Sequence, residues 1–273
     1  MKNHHRLLLV LITIHFAGHL TAHNLRQISS RDGLSNSSVY CLFQDDERFL
    51  WIGTFDGLNM YDGRNITIYK PDINNQHSLS SNVIRSIIET NNRHLWISTK
   101  WGLNKFSQQE NQITAYYNEF KEDVHLVKDN SDNLYVLGHQ GMLSWYDEAH
   151  QTFVDLPINP EVTCRNTTSL LIDANDTIWI NHKGTLERYT VSFGKQCQPI
   201  VTRHADYPHR CAIEFMSFSR GRFLFVDMQG GLYSINPRRT VFIRDISTLL
   251  RQNGTISSII YNYTDVLIGF RTN

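Results

Sequence analysis

One short motif recurs six times along the chain, and a recurrence of this period restricts the fold more than any other feature of the sequence. FLWIGTFDGLNMYD (49–62) aligns with HLWISTKWGLNKFS (94–107), and the frame continues in NLYVLGHQGMLSWYD (133–147), TIWINHKGTLERYT (177–190) and RFLFVDMQGGLYSIN (222–236). A sixth copy begins at DVLIGFRTN (265–273) and stops with the chain. The anchors are Trp51, Trp96, Tyr135, Trp179, Phe225 and Leu267; subtracting consecutive positions gives separations of 45, 39, 44, 46 and 42. Seven residues after the anchors stand Leu58, Leu103, Met142, Leu186 and Leu232, and three further on Tyr61, Phe106, Trp145, Tyr189 and Ile235. Both positions are apolar in every copy that reaches them.

Each copy parses into four strands. In the first, VYCLFQ (39–44), FLWIGT (49–54), LNMYD (58–62) and NITIYK (65–70) are separated by polar turns. The turns between first and second strands (DDER, TNNR, DNSDN, ANDT, SRGR) are rich in residues that tolerate tight reversals. Gly57, Gly102, Gly141 and Gly231 precede the third strands, where a positive φ is expected. A four-stranded repeat of about 40–45 residues predicts an all-β chain folded as a β-propeller, with the anchors filling the space between neighbouring blades. The expected organisation is a partial propeller over 24–273, with repeats near 34–72, 79–118, 120–158, 166–201 and 210–246 and an incomplete sixth at 253–273. Residues 24–30 (NLRQISS) are expected to be the closing strand of a further blade, which would make the parent ring seven-bladed.

The first 22 residues have the pattern of an export signal: Lys2 and Arg6, an apolar run Leu7 to Ala17, and a small-residue zone ending at Ala22. The run is shorter than the roughly 20 residues a membrane span needs, so a periplasmic location is expected for the mature domain. With 26 basic and 26 acidic side chains the formal charge is zero, which gives no electrostatic basis for nucleic-acid binding. An exported chain permits disulfides. Cys41 lies in an apolar run and is expected as a buried thiol, which leaves Cys164, Cys197 and Cys211 with no pairing favoured.

The segment GLSNSSVYCLFQDDERFLWIGTFDGLNMYDG (33–63) resembles the two-component regulator propeller repeat, with its Gly-Leu-Ser start, Asp-rich turn, Leu-Trp-Ile-Gly-Thr and Asp-Gly-Leu-Asn. SLSSNVIRSIIETNNRHLWISTKWGLNKF (78–106) keeps most of these elements, while NLYVLG and FLFVDM have drifted. The resemblance implies the periplasmic sensor of a Bacteroidetes hybrid two-component system, with two seven-bladed propellers, a β-sandwich, a membrane helix and a histidine kinase. It further implies dimerisation, an oligosaccharide ligand and control of polysaccharide-degradation genes. The partners expected for this chain are therefore an oligosaccharide, the remaining propeller of the same parent and a second copy.

The candidate site is the turn between second and third strands. Four residues after the anchors come Phe55, Lys100, His139, Lys183, Gln229 and Arg271, followed by Asp56, Trp101 and Gln140. Lys100, Trp101, His139, Gln140, Lys183 and Arg271 are the ligand-binding candidates. An aromatic ring stacks on a pyranose face and cations pair with carboxylate or sulfate, so an acidic oligosaccharide suits them. Catalytic motifs such as G-x-S-x-G, the P-loop and H-E-x-x-H do not occur. His204 and His209 lie in a polar stretch, and Asp129 to Asn133 has a calcium-loop look but falls where every repeat has a turn. No metal and no cofactor is expected. The rival readings are a propeller glycoside hydrolase or lyase, which needs converging carboxylates where only Asp56 is acidic, and a non-catalytic adhesion module.

Overall fold

The computed structural model describes residues 28–273 apart from 117–119, 121–123, 139–141, 163–166, 183–184, 208–212, 220–221, 237–238, 254, 263–264 and 272–273. The expected export signal at 1–22 therefore lies outside the described residues. Five antiparallel four-stranded sheets follow one another along the chain, each with its strands in sequence order, and a two-stranded sheet comes last.

Blade 1 comprises Val39–Gln44, Leu50–Thr54, Gly57–Tyr61 and Ile66–Tyr69, and blade 2 Ile84–Thr90, His94–Thr99, Gly102–Ser107 and Gln112–Tyr116. Blade 3 comprises His125–Lys128, Leu134–Leu137, Leu143–Asp147 and Thr152–Leu156. Blade 4 runs Thr167–Ile172, Thr177–His182, Thr185–Phe193 and Pro199–Tyr207, and blade 5 Ile213–Ser219, Arg222–Asp227, Gly231–Asn236 and Arg239–Asp245. Thr255–Asn262 and Asp265–Arg271 form the sixth sheet. First strands of successive blades neighbour one another, so they line a common axis from which the sheets radiate. The chain is an all-β propeller.

The core consists of the spaces between blades. Trp51 packs with Ile84, Ile87, Leu95, Ile97 and Phe106 of blade 2. Trp96 packs with Leu126, Leu134, Val136 and Tyr146 of blade 3. Tyr135 meets Leu170, Ile178 and Ile180, and Trp179 meets Met216 and Phe223. Trp51 and Trp96 are fully buried, and burial of a large apolar side chain stabilises by about 2–3 kcal/mol. The rim carrying the first-to-second turns adds polar ties: Asp46 N donates to Glu89 Oε2 at 2.9 Å, and Asn130 N donates to Asp176 Oδ1 at 2.8 Å. Where a neighbour covers a blade, Ile87 is 7 % exposed; its register equivalent in blade 1, Leu42, is 64 % exposed.

Strand ends agree with the sequence expectation in blade 1 to within one residue, but the frame slips in two places. In blade 3 the residue buried in the Leu58 position is Leu143, while Met142 is exposed, because that turn is one residue longer. In blade 5 Phe225 faces backward, clustering with Trp179 of blade 4. The bulge register makes Leu224 the equivalent of Trp51, and Leu224 packs toward Ile256 and Ile259 of the sixth sheet. Phe225 is thus fully buried but is not that blade's anchor. Similarly, the positive φ of blade 5 falls on Gly230 (86°) and not on Gly231.

The expected closing strand at 24–30 is not found over its described part: Ser29 caps a short 3-10 turn, Ser30–Asp32, and residues 24–27 lie outside the described residues. A helix, Ser247–Asn253, which the repeat pattern does not predict, leads into the sixth sheet with Leu250 packed against its core. Cys41 is half-buried and Cys197 exposed, both unpaired; Cys164 and Cys211 lie outside the described residues.

Candidate functional site

The second-to-third turns sit on the rim opposite the first-to-second turns, beside the connections from one blade to the next. Their shape is fixed in blades 1 and 2 by a repeated polar clamp. Ser35, in the segment entering blade 1, donates its N–H to Asn59 Oδ1 at 2.8 Å and shares a 2.9 Å hydrogen bond with Thr54 Oγ1. Thr54 Oγ1 in turn donates to Gly57 O at 2.9 Å, and Asn59 Nδ2 to Ile52 O at 3.0 Å. Blade 2 repeats the set with Ser80, Thr99 and Asn104, the four corresponding distances being 2.9, 2.8, 3.1 and 3.4 Å. The buried side chains of Thr54, Asn59, Thr99 and Asn104 are thereby paired, which lets the Leu-Ser and Gly-Leu-Asn segments pack without loss. Gly102 (φ 110°) lies so close to the next connection that an added Cβ would come within 2.2 Å of Phe120 O.

On this base blade 2 presents Lys100 and Trp101. Trp101 is 52 % exposed, and Lys100 Nζ stands 5.0 Å from its ring centroid, a cation–π contact. Their backbone is held independently: Lys100 N donates to Val83 O at 3.0 Å and Trp101 N to Thr99 Oγ1 at 3.2 Å. In blade 1, Phe55 is 51 % exposed, and Asp56 accepts from Lys70 Nζ at 2.7 Å and from Asn82 Nδ2 at 2.9 Å. Those two side-chain donors, Lys70 foremost, hold the Asp56 carboxyl below its ordinary range.

Blade 4 replaces the neutral clamp with charge. His182 takes the register position of Thr54, and Glu187, following Leu186, takes that of Asn59. Asn159 of the entering connection donates Nδ2 to Glu187 Oε1 at 2.6 Å, Tyr189 OH donates to Oε2 at 2.5 Å, and His182 Nδ1 lies 3.3 Å from Oε1. Arg203 is 3.7 Å from Oε2. Burial raises the Glu187 pKa, but the hydrogen bonds from Tyr189, Asn159 and His182 outweigh it and the net direction is down. Burial, with Glu187 beside it, pushes Tyr189 up to about 12.

Of the expected site residues, Lys100 and Trp101 stand together on the exposed turn. His139, Gln140 and Lys183 lie outside the described residues. Gln229 is on an exposed turn, its N–H given to Asp227 Oδ1 at 3.0 Å. Arg271, expected in a turn, instead ends a strand and pairs with Thr255. The calcium-loop look of 129–133 is resolved as a turn: Asp129 Oδ1 accepts from the N–H groups of Ser131 and Asn133, both at 2.9 Å. Sequence reasoning missed the clamp residues, although Ser35/Asn59 and Ser80/Asn104 share a separation of 24 that marks them. Among the described residues no group of three or more His, Cys, Asp or Glu is placed to hold a metal ion, and no helix is long and apolar enough to cross a membrane.

Residues 33–56 and 78–101 match the two-component regulator propeller family, so the chain carries two repeats of that family in the two blades that keep the neutral clamp. A 39-residue stretch is 54 % identical to histidine kinase P4 of Formosa agariphila, covering 14 % of this chain and 3 % of that protein. The extracellular domain of the putative hybrid two component system BT3049 from B. thetaiotaomicron superposes with a TM-score of 0.67 at 20 % identity, over 91 % of this chain and 34 % of that one. The corresponding domain of BT4673 from the same organism gives 0.64 at 17 % identity, over 87 % and 33 %. The chain thus spans about a third of these solved domains, and at such identities the likeness is one of fold.

Proposed function

We propose that this chain is the extracytoplasmic sensor portion of a hybrid two-component histidine kinase, and that it takes an oligosaccharide on the second-to-third turn rim. The observation that carries the reading is the pair Lys100 and Trp101, an exposed indole with an ammonium at 5.0 Å, raised on a turn whose backbone is held without either side chain. An indole face stacks on a pyranose and an ammonium pairs with a carboxylate or sulfate, so an acidic oligosaccharide is the ligand this pair fits. His139, Gln140, Lys183 and Arg271 extend the same rim in this reading. The repeats of a regulator propeller family and the likeness to extracellular domains of hybrid systems favour sensing over catalysis.

In the parent protein a further blade covers the exposed face at Leu42 and Ile68, completing a seven-bladed ring. The kinase, the second propeller, the membrane anchor and a homodimer belong to the parent, the domain lies in the periplasm, and its output is transcription of polysaccharide-utilisation genes.

Calorimetry of the chain against an oligosaccharide library tests the site. Lys100→Ala with Trp101→Ala is expected to weaken binding at least tenfold, and unchanged affinity excludes this rim. Sequencing the gene beyond codon 273 tests the parentage; a stop codon there would sink it.

A further inference from the structure

We propose that the cleft between blades 4 and 5, on the rim opposite the second-to-third turns, binds a small carboxylate built on a single ring. The cleft encloses about 270 Å³, with Trp179, Phe218, Phe223 and Ile235 as apolar lining and Arg188 and His204 as its basic groups. Trp179 and Phe223 form the floor, ring centroids 4.6 Å apart, and the Arg188 guanidinium lies 5.5 Å from the Trp179 ring centroid.

The junction between blades 2 and 3 shows what this arrangement does when the protein closes it. Lys105 stands opposite Trp96 in the ladder, as Arg188 stands opposite Trp179. Lys105 Nζ lies 5.5 Å from the indole centroid, but there the next blade answers it: Tyr146 OH is at 3.2 Å and the Glu148 carboxylate at 3.3 Å. Tyr146 follows the residue opposite Tyr135; its register equivalent in blade 5 is Ile235, which follows the residue opposite Leu224. A sec-butyl group thus stands where blade 3 has a phenol, and the space that Tyr146 fills in one junction is open in the other. A cation over an indole, met by a carboxylate from beyond it, is the pattern this chain already uses.

Among the described lining residues Arg188 is the fixed cation, and it is the group an anion would meet. Arg188 carries five N–H donors, more than one partner can use, so a ligand carboxylate fits beside the contacts it already has. His204 Nε2 lies 3.0 Å from Thr190 Oγ1 of the neighbouring strand. Asp173 also lines the cleft, but its carboxylate accepts from Asn175 N at 2.8 Å, Thr177 N at 3.1 Å and Trp179 Nε1 at 2.8 Å, which offsets its charge within its own turn. The volume matches one six-membered ring with its carboxylate, whether a hexuronate or an aromatic acid. This site owes nothing to the rim of Lys100 and Trp101.

Titration calorimetry of the chain with glucuronate, benzoate, glucose and benzyl alcohol tests the inference. At least one acid is expected to bind, with its uncharged counterpart at least tenfold weaker. Glucuronate alone identifies a sugar acid, benzoate alone an aromatic acid, and both together a site that reads the carboxylate. Ile235→Tyr, which installs the blade 3 phenol, is expected to abolish binding, and Arg188→Gln to weaken it at least tenfold should the tyrosine variant misfold. Lys100→Ala with Trp101→Ala is expected to leave it unchanged, so failure here and failure at the other rim are distinguishable. The inference is overturned if neither acid binds at about 10 mM, if the uncharged analogues bind as well, or if affinity survives in a folded Ile235→Tyr protein or in Arg188→Gln.

Discussion

Trp51 Nε1 donates a 2.8 Å hydrogen bond to Asp45 Oδ2, and both side chains are buried. The same spacing of six residues joins Trp179 to Asp173 (2.8 Å), Tyr135 OH to Asp129 (3.0 Å) and Trp96 to Thr90 (3.2 Å). In the three aspartates the other oxygen accepts the N–H four residues on: Phe49 at 2.8 Å, Asn133 at 2.9 Å and Thr177 at 3.1 Å. One carboxylate therefore shapes the turn and satisfies the polar edge of the anchor. Tryptophan and tyrosine interchange at this position because each offers a donor there. Leu224, which has none, is preceded at six residues by apolar Phe218.

Asp45→Ala should leave the buried indole N–H unpaired and the turn uncapped, at a cost of about 2–4 kcal/mol. Trp51→Phe removes the donor along with some volume, so the double variant should be less destabilised than the two single costs added. Equilibrium urea denaturation of the four proteins gives the coupling. Strict additivity would show that the hydrogen bond contributes nothing.

The charged clamp of blade 4 predicts an acid-sensitive contribution. Glu187 has a folded-state pKa below its ordinary value, so its stabilisation is complete above that ordinary range and is lost as pH falls through it toward the folded value. Installing the blade 1 residues at the two register-matched positions, His182→Thr with Glu187→Asn, should flatten the fall of the melting temperature below about pH 5 while leaving the neutral-pH value within a few degrees. An acid limb as steep as that of the parent would refute the assignment.

How far the sequence could be read depends on the faces of the strands. Trp51, Trp96, Tyr135 and Trp179 were identifiable because a large aromatic next to a polar turn has one place to go. Blade 5 misleads because Phe223, Leu224, Phe225 and Val226 are all buried between neighbours: with both faces apolar the period-two signal vanishes, and nothing local says which residue points forward. Met142 misleads for a different reason, a turn longer by one residue with apolar side chains on both sides of the slip. The exposed turn at Lys100 and Trp101 was legible because turn chemistry is local. The Asn159, His182 and Glu187 cluster was not, since it joins a connection to two strands and has no contiguous pattern.

Gly53 should not tolerate a side chain. An added Cβ would lie 2.4 Å from Cys41 Sγ and 2.7 Å from Ile84 Cγ2, so Gly53→Ala should cost about 1–3 kcal/mol through overpacking. Adding Cys41→Ala to this variant should restore part of the loss, measured by thermal unfolding. Equal destabilisation with and without Cys41 would place the strain elsewhere.

The two described thiols should differ in reactivity. Burial pushes the Cys41 pKa up to about 12, while Cys197 is exposed. Since the thiolate is the reactive form, maleimide at pH 7 should label Cys197 within minutes and Cys41 only in denaturant, as read by peptide mass mapping. Equal labelling of both in the folded protein would contradict the packing at Gly53.

Trp101→Ala should barely change stability. Its ring is 52 % exposed, its contact with Lys100 is an exposed cation–π pair of about 0.5–1 kcal/mol, and its N–H bond to Thr99 is made by the backbone. Of the five tryptophans, Trp51, Trp96, Trp145 and Trp179 are buried, so Trp101 supplies the solvent-relaxed part of the emission. Its removal should shift the fluorescence maximum to shorter wavelength and sharply lower iodide quenching, with unfolding free energy within about 1 kcal/mol of the parent. A loss of several kcal/mol would mean that the indole supports the blade, and weaker oligosaccharide binding in this variant would then report folding instead of contact.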